Sequence, residues 1–239
     1  MKRKFVNYAH RGASEYLPEN TLLAFYTGIY MGANGIETDI QRTKDGVLVL
    51  FHDDTLTRVT GQEGCIADYT FEELQQFRVR RDCYEDRIVA FEEFLRLFSW
   101  RDLTFAIELK VAGVEKDVAD LIRKYGIEEK AIVTSFKFDY IKALKAYAPD
   151  LKAGFLTKEI TEETMTALKE IGGSEICPLA STVTPELVEY WHSLGLNVRA
   201  WGVTKSEYMR QVYEAGADGM TVNFPDWLTD YIIKNGEQA

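Results

Sequence analysis

The chain has 239 residues, 46% of them apolar, which suits one large α/β domain or two small ones with a sizeable core. Its formal net charge of −10 argues against a nucleic-acid or anionic-membrane surface, since both need clustered Lys and Arg. A local basic pocket for a phosphate remains compatible with that charge.

Three cysteines, Cys65, Cys83 and Cys177, are widely spaced and odd in number. They fit a reducing compartment, and neither a disulfide framework nor a zinc site. Met1 to Phe5 is basic and lacks an apolar signal core, and no run is long enough to span a bilayer. A cytoplasmic protein is expected.

Phe5 to Ala9 reads as a strand that delivers His10 to its C-terminal end. Pro18-Glu19-Asn20-Thr21 opens a helix that Asn20 or Thr21 can cap, with Leu22, Leu23, Phe25, Tyr26, Ile29 and Tyr30 at helical spacing. Gly32 to Gly35 closes it. On the strand that follows, Glu37 and Asp39 stand two residues apart, so both side chains point to one side and can aim at one cation. Asp45-Gly46, between two apolar runs, predicts a two-residue hairpin. With Lys44 facing Val47, His52 falls opposite Asp39; with the turn one residue earlier, it falls opposite Glu37. Either register sets the imidazole beside a carboxylate.

The polar stretch 55–87 is expected to be an insertion near the active-site face, within a single domain spanning 1–239. Phe91 to Trp100 is an amphipathic helix whose Phe91, Phe94, Leu95 and Phe98 form a core face. From Leu103 onward, strands and helices alternate. If the Val47–Phe51 arm is an excursion, eight strands remain, near Val6, Ile36, Phe105, Ile132, Ala153, Ile176, Val198 and Met220. Eight strands alternating with helices predict a closed parallel (β/α)8 TIM-type barrel with a small insertion after the second strand and its hairpin. The rival, an open doubly wound sheet, lacks its Gly-rich dinucleotide turn here.

Barrel chemistry is expected at the C-terminal ends of strands. His10, Glu37 with Asp39, Glu108 with Lys110, and Trp201 all fall at such ends. Glu37, Asp39 and Glu108 make a hard oxygen site suited to one divalent cation, Mg²⁺ or Ca²⁺. Arg11 and Lys110 bring positive charge to the same rim for a phosphate. His10 and His52 can share general acid and base work, in an order that spacing does not fix. Together these groups fit in-line attack at a phosphate diester. Trp201 and Phe136 can wall a substrate pocket or simply pack, and His192, on a helix, reads as structural or exposed.

These residues resemble the glycerophosphodiester phosphodiesterase family in its small bacterial form. The matching pieces are His10-Arg11-Gly12, Pro18-Glu19-Asn20-Thr21, Glu37-Thr38-Asp39, Thr43-Lys44-Asp45-Gly46, His52-Asp53, Glu108-Leu109-Lys110, Val198-Arg199-Ala200-Trp201 and Gly216-Ala217-Asp218-Gly219. The resemblance implies hydrolysis of glycerophosphodiesters to glycerol 3-phosphate and an alcohol. It implies Glu37, Asp39 and Glu108 as metal ligands, His10 and His52 as the acid/base pair, and Arg11 and Lys110 on phosphate, with Glu19 and Asn20 supporting Arg11 or lining the site. Gly202-Val203 stands where the family usually continues Thr-Val after its aromatic residue. Two alternatives are a lysophospholipase D or phospholipase type of phosphodiesterase on the same barrel, and a non-catalytic barrel that binds a phosphorylated metabolite.

Overall fold

The computed structural model describes residues 5–236. Its strands are β1 (Val6–His10), β2 (Gly35–Arg42), β3 (Leu48–Leu50), β4 (Val79–Arg81), β5 (Tyr84–Asp86), β6 (Thr104–Leu109), β7 (Ala131–Ser135), β8 (Lys152–Thr157), β9 (Glu175–Pro178), β10 (Asn197–Val203) and β11 (Gly219–Val222). Eight of them run parallel in the order β1-β2-β6-β7-β8-β9-β10-β11, and β1 pairs with both β2 and β11 to close a barrel. Helices separate consecutive barrel strands, so the fold is a (β/α)8 TIM barrel. All eight anticipated strands are present.

Between strands and helices lies the apolar core. Helix Phe91–Phe98 buries Phe91, Phe94, Leu95 and Phe98, a one-sided stripe at helical spacing. Phe94 meets Phe25 at 5.0 Å and Phe105 at 5.8 Å in edge-on ring contacts, tying helices Leu22–Tyr30 and Phe91–Phe98 to β6. Thr21 caps the first helix, Leu22–Tyr30, by accepting from the Ala24 amide. Asn20, the other candidate cap, has a positive φ of 57° and spends its side chain elsewhere.

The hairpin differs from expectation. Observed pairs are Ile40↔Leu50, Gln41↔Val49 and Arg42↔Leu48, and the Thr43 amide donates to Val47 O, so the loop has three residues, Lys44, Asp45 and Gly46. Thr43 causes this. Its Oγ1 accepts from the Val47 amide and donates to Asp45 Oδ1, and Gly46 takes the left-handed φ of 89° that closes such a loop. Both registers read from the sequence are therefore one residue off. The pairing ends at Leu50, Phe51 N donates to Asp39 O, and His52 lies beyond the ladder.

Residues 55–87 form three short helical turns and the β4–β5 hairpin. Leu56, Val59, Ile66, Leu74, Val79 and Ile88 pack with Val49 and Phe51 into a small buried cluster of their own. Among the described residues no helix is long and apolar enough to cross a membrane.

Inside the barrel, Arg199 on β10 is 2% exposed and paired with Glu175 on β9 at 2.9 Å. Its NH1 donates to Thr221 Oγ1, and its guanidinium lies 5.3 Å from the centre of the Tyr8 ring. Gly154 makes the space, since a Cβ there would stand 3.1 Å from Glu175 Oε1. Removing one partner strands a buried charge. Arg199→Met is expected to lose about 3–5 kcal/mol in a urea titration, and the double variant with Glu175→Met to lose less.

Candidate active site

Register assembles the acids. In the β1–β2 pair His10 lies beside Glu37, and in the β2–β6 pair Asp39 lies beside Glu108. Neighbours in a parallel ladder share a face, so three strands deliver these side chains to one end of the barrel. Carboxylate oxygens of Glu37, Asp39 and Glu108, all three buried, lie within 4.8 Å of one another. Asp39 Oδ1 is fully buried and accepts no hydrogen bond. An orphaned carboxylate oxygen among two further acids is a donor set that a hard divalent cation fits.

Crowding shows in the proton affinities. Burial, and then the charge on Asp39, raises the Glu108 carboxyl to about 7 and pushes Glu37 well above the carboxylate range. Asp39 is also opposed by burial, but Arg11 and Lys110 hold it below the ordinary aspartate value. Arg11 Nε is 3.1 Å from Asp39 Oδ2 and its NH1 donates to Glu19 Oε1 at 3.0 Å; Lys110 Nζ donates to Glu108 Oε1 at 2.8 Å and stands 3.8 Å from Asp39 Oδ1.

The turn His10-Arg11-Gly12 is tight for a visible reason. Arg11 has φ 54°, and Gly12 has φ 85° with the Ala24 carbonyl carbon 2.5 Å from where a Cβ would sit, so only glycine fits. Asn20 serves β2: its Nδ2 donates to Asp39 Oδ2 at 2.9 Å and its Oδ1 accepts from Thr38. Glu19 and Asn20 therefore brace Arg11 and Asp39, and neither is among the residues lining the cavity.

That cavity holds about 230 Å³. His10, Arg11, Glu37, His52 and Glu108 line it together with the less polar Phe136, Leu156, Trp201, Gly202 and Val203. The rings of Phe136 and Trp201 meet edge-on at 4.7 Å, and Trp201 Nε1 donates to Thr157 O. Gly202 sits at φ 71°, where a side chain would be strained and would meet Leu179. His192 is on the outer surface, 2.7 Å from Asp218.

Both imidazoles are oriented from behind. His10 Nδ1 donates to Asn223 Oδ1 at 2.6 Å, leaving Nε2 toward Glu37 at 3.8 Å. His52 Nδ1 donates to Asp53 Oδ1 at 2.6 Å. Burial and the adjacent Arg11 pull the His10 imidazole down to about 3, so it is neutral near pH 7. Asp53 is opposed by burial, yet hydrogen bonds from Arg58 and His52 hold it down to about 2.

Asn223, Asp53, Arg58, Arg199 and Thr221 were not among the anticipated site residues. Asn223 lies one residue past β11, the same strand-end position that flagged His10, and Arg199 is a charge inside an apolar strand; both were readable signals.

The model of the glycerophosphoryl diester phosphodiesterase family matches residues 10–227. The chain belongs to this family. A glycerophosphodiester phosphodiesterase of Caldanaerobacter subterraneus is 34% identical over 95% of this chain and 98% of its own length. One from Bacillus altitudinis is 32% identical over 92% and 94%. The crystal structure of a putative glycerophosphoryl diester phosphodiesterase from Silicibacter pomeroyi superposes with a TM-score of 0.85 at 27% identity, covering 96% of this chain and 93% of that one. An Oleispira antarctica phosphodiesterase, 22% identical, shares the fold with a TM-score of 0.83 over 95% and 96% of the two chains; it was solved in complex with the product sn-glycerol-3-phosphate. As a member of this enzyme family, the chain carries its acids and imidazoles on the barrel face where the fold does chemistry.

Proposed function

We propose that the protein hydrolyses glycerophosphodiesters to glycerol 3-phosphate and an alcohol. The observation that carries this reading is the orphaned, buried Asp39 Oδ1 beside Glu37 and Glu108, in a site flanked by two imidazoles. Glu37, Asp39 and Glu108 would hold one divalent cation, Mg²⁺ or Ca²⁺. That cation, when bound, neutralises phosphate oxygens and favours the attacking oxygen as an anion.

The chain's own residues do the rest. Arg11 presents a guanidinium to the cavity for the phosphate, and Lys110 adds a point charge behind the acids. His10, neutral and with its Nε2 lone pair free, takes the proton from the attacking oxygen. His52, whose Nδ1 is held by Asp53, gives a proton to the departing alkoxide. Phe136 and Trp201, which line the same cavity, would pack against the departing alcohol.

The cavity of about 230 Å³ is small for a site that must also take an acyl chain, which favours water-soluble diesters over lysolipids. Binding of a phosphorylated metabolite alone gives no reason for two oriented imidazoles. Cys65, Cys83 and Cys177 are all free thiols, in keeping with a reducing cytoplasm. Purified protein with Mg²⁺ or Ca²⁺ is expected to release glycerol 3-phosphate from glycerophosphocholine or glycerophosphoethanolamine, read by a coupled dehydrogenase. Tight product binding by calorimetry with no turnover on either diester would overturn the reading.

A further inference from the structure

Arg58 lies in the short helix Thr57–Thr60 and is not among the residues lining the cavity. Half of its side chain is exposed, yet every guanidinium nitrogen is engaged. Nε donates to Asp53 Oδ2 at 2.5 Å, and NH2 to Asp53 Oδ1 at 2.9 Å. NH1 donates to Glu19 Oε2 at 2.8 Å, and NH2 also reaches Glu19 Oε1 at 2.7 Å. Each carboxylate then leads inward. Asp53 Oδ1 accepts from His52 Nδ1, and Glu19 Oε1 accepts from Arg11 NH1, whose Nε lies beside Asp39.

One guanidinium thus stands at a fork. One branch runs through Asp53 to an imidazole of the cavity, the other through Glu19 to its guanidinium. Ligand atoms of Glu19, His52 and Asp53 approach within 4.8 Å, a spacing that would otherwise suggest a second cation. Arg58 supplies that positive charge itself.

We propose that Arg58 is a positioning residue that fixes His52 through Asp53 and Arg11 through Glu19, making residues 55–87 part of the catalytic apparatus. Only a planar fork reaches two carboxylates at once; a lysine at this position holds one or the other. Without the fork, Asp53 is free to rotate and His52 loses the acceptor that fixes its Nδ1–H tautomer. Displacing a proton carrier by about 1 Å lowers turnover by roughly 100-fold.

This inference rests on the proposed hydrolase reading, and the test separates the two. Wild-type protein inactive on glycerophosphocholine and glycerophosphoethanolamine overturns that reading. Given an active wild type, Arg58→Ala is expected to lower kcat about 10- to 100-fold. Millimolar guanidinium ion should restore part of the loss and methylammonium should not. Arg58→Lys should fall between the wild type and Arg58→Ala. Independently of activity, the downfield NMR signal of the His52 Nδ1 proton should be present in the wild type and broadened in Arg58→Ala. Arg58→Ala with wild-type kcat and an unchanged His52 signal overturns the proposal. So does a loss of activity that follows a lowered Tm and ignores guanidinium, because Arg58 would then serve only the folding of its own segment.

Discussion

His10→Ala and His52→Ala are each expected to lower kcat on glycerophosphocholine by about 10²- to 10⁴-fold, and a change of leaving group should tell them apart. Choline is a poor leaving group that needs a proton as the P–O bond breaks. A p-nitrophenyl diester of glycerol 3-phosphate does not, because its phenolate is stable near neutral pH. If His52 is the acid, His52→Ala should come within about tenfold of wild type on the activated ester, while His10→Ala should stay as slow as on the natural one. The asymmetry follows from what stands behind each ring. Asn223 gives His10 a neutral oxygen and Arg11 adds a repulsive charge, whereas Asp53 gives His52 an anion. Rescue of His10→Ala instead would exchange the roles. Near-full activity of both variants on the natural ester would remove the two-histidine mechanism.

Much of this site could be read along the chain because its elements are local and periodic. Alternation fixed the side of β2 to which Glu37 and Asp39 point, and the strand-helix rhythm from Leu103 onward placed Glu108 and Trp201 at strand ends. The hairpin register failed because it depended on one hydroxyl: Thr43 binding Asp45 and Val47 adds a third residue to the loop, and Asp-Gly alone does not reveal that. His52 reaches the cavity all the same, since the chain turns inward past Leu50. The small core around Leu56, Ile66 and Leu74 was invisible for another reason: its members are irregularly spaced, so no periodic pattern marks them. Arg58 was missed because its meaning lies in Glu19, 39 residues away, and no spacing rule links them.

A second large effect concerns the cation and its protons. Three carboxylates this close cannot all stay charged in dry surroundings, so the cation-free protein keeps protons on Glu37 and, near pH 7, partly on Glu108. A cation binds only the deprotonated set, so binding must release protons, and affinity should weaken as pH falls through about 7. Calorimetry in two buffers of different ionisation enthalpy measures that release. Stability of the cation-free fold has the opposite slope. Glu108 has a folded pKa raised above its unfolded value, so its contribution is fully present below the unfolded pKa of about 4.3 and is lost as pH rises through about 7. Cation rescue should therefore grow from pH 5.5 to pH 8. At a concentration about 100-fold above Kd it should reach about 2.7 kcal/mol, or about 5–10 °C in Tm for a chain of this size. Asp39→Asn neutralises the carboxylate whose Oδ1 accepts no hydrogen bond, and should abolish the Tm shift, the proton release and turnover together. A wild type whose activity survives exhaustive chelation, with a Tm indifferent to Mg²⁺ and Ca²⁺, would show that the three acids are held by Arg11 and Lys110 alone and that the chemistry proceeds on protons without a metal.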